Sequence, residues 1–194
     1  VTSQYLSTEP TRIQAFIILL RLKGLYDEAT EYNGDNNFKD ASTAGWAKNY
    51  MAYAKDHSEL GWNGYPDGTF APGDKINGQA FYKVMLETLG YKQNIDFSYA
   101  DTLKFAAKKG LIKKAEDISK LDKFTVDDVA KGIVSTLNAK PSDSDKKLIS
   151  VMVEKGIITA DKAVASGFTL DTKDAKVIGF NAISNNRIQV EFDN

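Results

Sequence analysis

The residues of this sequence best equipped for ligand chemistry are Arg12, Asp40, Trp46, Tyr65, Gly68, Thr69 and Gln79. A guanidinium carries a planar fork of donors that matches the two oxygens of a carboxylate, so Arg12 is a candidate for holding an acidic group. It also stands at a helix start, where a cation gains nothing from the dipole, and a solvated arginine is the competing role. Trp46 offers a ring face for stacking and an N–H for a hydrogen bond; the alternative is a core tryptophan on an amphipathic helix. Tyr65, Gly68 and Thr69 belong to the run Gly64-Tyr65-Pro66-Asp67-Gly68-Thr69-Phe70-Ala71-Pro72. Gly64 and Gly68 permit positive φ and Pro66 presets a turn, so backbone can come close to a ligand. The bland role of such a run is a structural turn. Asp40 can accept from ligand hydroxyls, hold Arg12, or simply order the chain before the Trp46 helix.

Catalytic chemistry finds little support. The chain of 194 residues has no cysteine, which excludes disulfides, thiolate metal sites and a cysteine nucleophile. Its one histidine, His57, sits in a charged surface stretch with no nucleophile elbow nearby. Residues 35–40 and 67–74 are acidic, but neither follows the twelve-residue calcium-loop pattern. No spacing singles out a carboxylate pair for glycoside hydrolysis. We expect no enzyme, no cofactor and no metal. The formal net charge of -1 gives no field favouring nucleic acid or an anionic membrane. No apolar run reaches the roughly 18 residues of a membrane span. The short apolar stretch 15–22 has no small-residue cleavage site after it and is not read as a signal peptide.

The elements that must position these residues form a repeat. One pattern, type B, begins at Thr11-Arg12-Ile13-Gln14-Ala15-Phe16, again at Ile76-Asn77-Gly78-Gln79-Ala80-Phe81, and again at Thr125-Val126-Asp127-Asp128-Val129-Ala130. The first is apolar almost all round, which predicts a central buried helix. In the third, Val126, Val129, Ala130, Ile133, Val134 and Leu137 share one face, with Thr125 as N-cap and two aspartates at the positive end of the dipole. A second pattern, type A, covers residues 103–112 and 149–158. These align without a gap, each closing on a glycine (Gly110, Gly156) that suits a left-handed cap. Residues 44–61 are a looser type A, with Trp46, Ala47, Tyr50 and Ala54 on one face. The order is B, A, B, A, B, A, and helix pairs of this kind bury their apolar faces only by stacking together. Residues 187–192 alternate with period two, and Asn185-Asn186 is a plausible tight turn to 176–183, so the chain ends in a β-hairpin.

The middle repeat carries a resemblance. Phe38-Lys39-Asp40, Trp46-Ala47, the run from Gly64 to Pro72 and a following type B helix ending near Leu89-Gly90-Tyr91 resemble the S-layer homology repeat in order and spacing. The first repeat keeps only its second half, Pro10-Thr11-Arg12-Ile13-Gln14. The third is degenerate: Phe97 and Asp101 echo the opening, and the Gly-Tyr-Pro-Asp-Gly loop is missing.

The resemblance implies a mainly α, pseudo-threefold, three-pronged domain around a central helix bundle, followed by a short C-terminal β-hairpin. The repeats would occupy residues 1–140, with the second at 35–91 and the third at 95–140. Residues 141–170 would complete or extend the domain, with the helix at 145–158 packing near 11–24. Residues 171–194 would start an Ig-like domain. The implied function is non-catalytic anchoring on the cell wall of a secreted surface protein. Its partner would be secondary cell-wall polysaccharide, through a pyruvylated terminal amino sugar, with self-association in a surface lattice also open. The alternatives are a lattice or spacer element with decayed grooves, and the anchor of a wall-associated glycoside hydrolase. The carbohydrate-binding candidates are then Arg12, at the family's Thr-Arg position, with Asp40, Trp46, Tyr65, Gly68, Thr69 and Gln79. Gln79 and Gln14 replace the family's glutamate, keeping hydrogen bonding without charge. Asn77 and Val126 stand where the other repeats would carry arginine, with Lys75 a partial substitute, so one equipped groove is expected, between the first and second repeats.

Overall fold

The computed structural model describes residues 2–171 and the strands 177–184 and 187–192. Helices α1 (Ser3–Leu6), α2 (Arg12–Lys23), α3 (Tyr26–Glu31), α4 (Lys48–Asp56) and α5 (Gly78–Thr88) are followed by α6 (Thr102–Lys108), α7 (Glu116–Ser119), α8 (Val126–Asn138), α9 (Leu148–Glu154) and α10 (Ala160–Ala165). Strands β1 (Val177–Ser184) and β2 (Arg187–Phe192) pair antiparallel, with Phe180 opposite Val190. The turn at Asn185-Asn186 lies outside the described residues.

α2, α5 and α8 begin alike. Each follows an extended N-cap whose side chain accepts from the backbone three residues on: Thr11 from Gln14, Asn77 from Ala80, Thr125 from Asp128. In α2 and α8 the box is reciprocal, because Gln14 and Asp128 reach back to the cap N–H. The segment before α2 ties the three starts together. Pro10 O accepts from Ile76 N at 3.0 Å, Asp74 O from Arg12 N at 2.9 Å, and Thr8 O from Val126 N at 2.8 Å.

α2 is central, as its apolar surround predicts, with Phe16, Leu19 and Leu20 fully buried. The core continues through Phe70, Phe81, Met85, Leu86 and Ala106 to Met152. α8 turns a different face inward from the one its spacing suggests. Val129, Gly132 and Thr136 are buried, while Ala130 and Val134 are exposed. The reason is Phe81 of α5, which packs so closely on Gly132 that a Cβ there would lie 2.5 Å from its ring.

The two aligned type A segments end as their glycines require. Gly110 (φ 78) and Gly156 (φ 70) are left-handed, and the next residues bond back five positions, Leu111 N to Ala106 O and Ile157 N to Met152 O. Ile157 then lies against Gly24 at the end of α2.

Residues 44–61 do not form one helix. Ala41–Ala47 is a 3-10 segment with a non-helical residue, Ala44, and the α-helix starts at Lys48. Winding with three residues per turn takes Trp46 off the face shared by Ala47, Tyr50 and Ala54. Those three are buried and Trp46 is 66% exposed.

Candidate functional site

The start of α2, the chain before the Tyr65 turn, and the first turns of α5 enclose a cleft of about 330 Å³. Arg12, Trp62, Asn63, Tyr65, Asn77, Lys83 and Tyr99 are among its walls.

Arg12 is held from below and from the side. Its Nε donates to Phe70 O at 3.0 Å. Its guanidinium carbon lies 4.6 Å from the Tyr65 ring centre and 5.5 Å from those of Trp62 and Phe70. Aromatic faces attract a cation but satisfy none of its terminal N–H donors. Among the described residues no carboxylate forms an ion pair with it. The side chain is therefore fixed with donors to spare.

Trp62 stacks on Phe70, with ring centres 5.7 Å apart, and meets Phe16 at a tilt, with ring centres 5.2 Å apart. It is only 5% exposed, and its Nε1 has no hydrogen-bond partner among the described residues. A buried donor left unpaired costs on the order of 1–3 kcal/mol. Lys83, on the far wall, is neutralised by Glu87 at 2.9 Å. Burial pushes the Glu87 carboxyl above its ordinary range, against the pull of Lys83 and Lys23. Burial likewise raises the Tyr99 phenol, Tyr65 adding to the rise and Arg12 opposing it.

Asp40 holds the turn. Its two carboxylate oxygens accept from Phe70 N at 2.9 Å and Ala71 N at 2.8 Å. The same Phe70 offers its carbonyl to Arg12, so Asp40 positions the arginine at one remove. The turn is closed further by Tyr65 N on Thr69 O at 2.8 Å. Asp67 accepts from Thr69 Oγ1 at 2.7 Å and Thr69 N at 2.9 Å, which holds its carboxyl below the usual range. Lys39 covers Gly68 and donates to Asp67 O.

Of the seven candidate residues, Arg12 and Tyr65 meet in the cleft. Asp40, Gly68 and Thr69 shape the turn behind it, and Trp46 is not among the cleft walls. Gln79 stands behind another residue, its Nε2 donating to Tyr99 O at 2.7 Å. Trp62 and Tyr99 also line the cleft and are not among the seven. Trp62 precedes Gly64 by two positions, at the edge of the motif. Tyr99 follows Phe97 by two, just as Asp40 follows Phe38.

The register of the second repeat shifts by one. Asn77 does the capping work of Thr11, so Gly78, and not Asn77, stands where Arg12 does. A Cβ on Gly78 would collide with Ile118 Cγ2 and lie 3.1 Å from Phe124 Cδ2. That position has neither a charge nor room for one.

No family model matches the chain, and no solved structure gives a significant match. The sequence is similar to a cellulosome-anchoring protein of Acetivibrio thermocellus, 29% identical over 130 residues. The match covers 67% of this chain and 25% of that protein, so the chain spans about a quarter of the curated relative's length. No helix among the described residues is long and apolar enough to cross a membrane.

Proposed function

We propose that this chain is a non-catalytic anchoring module that holds a secreted surface protein on the cell wall. It binds an acidic wall polysaccharide in the Arg12 cleft, and its fold is a pseudo-threefold assembly of S-layer homology repeats. The likeness to a cellulosome-anchoring protein supports the anchoring role. The observation that carries the ligand class is Arg12 itself, fixed by Phe70 O and three aromatic rings and without a carboxylate partner among the described residues. A carboxylate-bearing sugar, such as a pyruvylated terminal amino sugar, suits the remaining guanidinium donors.

The test is co-sedimentation with purified, protein-free cell walls. A charge-assisted contact contributes about 1.5–3 kcal/mol, so Arg12→Ala is expected to weaken binding roughly 10- to 100-fold. Arg12→Ala binding as tightly as the parent chain refutes the assignment.

A second reading is a lattice or spacer element. Gly78 and Val126, at the positions related to Arg12, favour it because neither supplies a charge. It predicts self-association without wall binding, which the same sedimentation, run with and without walls, separates. What the module carries, a lattice protein or a wall-associated glycoside hydrolase, is set by the rest of the parent chain.

A further inference from the structure

We propose that Tyr99, a residue of the degenerate third repeat, is a specificity-determining wall of the Arg12 cleft, contacting the bound sugar across from Tyr65. This rests on the carbohydrate-binding reading above and adds a residue to it.

The argument begins with what the third repeat has lost. In the second repeat Asp40, two residues after buried Phe38, uses both oxygens on the backbone of the 64–72 turn. The third repeat has no such turn. Tyr99, two residues after buried Phe97, has no pair of N–H groups to hold. Freed from that task, the position carries a tyrosine that lines the cleft of the preceding repeats.

Its placement is built. Tyr99 O accepts from Gln79 Nε2 at 2.7 Å and from Thr102 Oγ1 at 2.7 Å, which pins the main chain on both sides. Gln79 lies in the first turn of α5, and Ala80, Lys83 and Val84 of the same helix line the cleft. One helix thus shapes the cleft and fixes the main chain of Tyr99 in its wall. The two tyrosines are similarly open, Tyr65 43% and Tyr99 42% exposed, while Trp62 between the core and the cleft is buried. An aromatic ring with its hydroxyl at the wet edge suits a pyranose, which has an apolar C–H face and polar substituents. The site then draws on all three repeats: Arg12 from the first, Trp62 and Tyr65 from the second, Tyr99 from the third.

The experiment titrates the full 194-residue chain with polysaccharide released from purified walls, native and after reduction of its carboxyl groups. Tyr99→Ala is expected to weaken binding of the native polysaccharide about five- to tenfold, with an unchanged melting temperature. Tyr99→Leu, which keeps apolar bulk, should fall nearly as far, and Tyr99→Phe should retain most of the affinity. If Gln79 acts through Tyr99, adding Gln79→Ala to Tyr99→Ala costs nothing more. Tyr99→Ala and Tyr99→Leu binding like the parent chain, while Arg12→Ala does not, overturns the role of Tyr99 alone. A parent chain that binds neither polysaccharide overturns the anchoring reading with it. Equal binding of native and reduced polysaccharide overturns the acidic-sugar class, and Tyr99 is then judged on the variants alone.

Discussion

At the start of α2 an arginine lines an open cleft of about 330 Å³; at the equivalent point of α5 there is a glycine, packed against Ile118 and Phe124, beside a second cleft of about 300 Å³ that has no arginine. Both helices are capped the same way and begin from the same extended backbone. What differs is the neighbour. α2 faces the 64–72 turn, which is rigid enough to present Phe70 O to a guanidinium and leave the space above it open. α5 faces a segment without that turn, and Ile118 and Phe124 pack against its first residue. Two helix starts can therefore share a scaffold while only one presents a fixed guanidinium to its cleft.

The comparison breaks most readily at Asp40. Asp40→Ala leaves Phe70 N and Ala71 N without their acceptor, and we expect a loss of about 3 kcal/mol in urea unfolding together with loss of wall binding. Full binding by this variant would mean that the turn does not hold Arg12 in place. Next in size is Gly78→Ala, which drives a methyl into Ile118. A cost of about 1–3 kcal/mol is expected, with wall binding of the folded protein unchanged. Should Gly78→Arg fold without raising the binding stoichiometry, the missing arginine is not what separates the two clefts and the contrast fails.

The smallest effect is at Glu87. Its carboxyl titrates above the ordinary value in the folded state, so the folded protein holds more protons than the unfolded chain in that window. The associated stability is present below the ordinary glutamate value and is lost as pH rises through the folded one. Glu87→Gln should flatten this segment of the stability–pH curve, measured by chemical denaturation at a series of pH values. It also frees Lys83 on the cleft wall, and a gain of up to about threefold in affinity for an anionic polysaccharide is expected at low salt.

Much of the scaffold is local chemistry and so legible in sequence. Thr125 and Asp128 make a capping box because a hydroxyl and a carboxylate three residues apart reach each other's backbone. Gly110 and Gly156 end their helices because a left-handed residue is cheapest as glycine. Arg12 and Tyr65, which a spaced motif picks out, line the same cleft. Trp46 was misplaced, since an i, i+4 relation with Tyr50 holds only if the helix extends upstream of Lys48, and it does not.

The sequence by itself determined where α2 and α8 start, where the glycine-ended helices stop, which helix is central, and that one arginine is available at a helix start. Each of these depends on residues within a few positions of one another. Only the tertiary structure decided that Asp40 serves Arg12 through Phe70, that Trp62 has a donor without a partner, that Tyr99 reaches the cleft, and that Gly78 is walled off. Each of those depends on segments far apart in the chain, and hydrogen-bond satisfaction and steric room are properties of the packed chain that spacing along it does not encode.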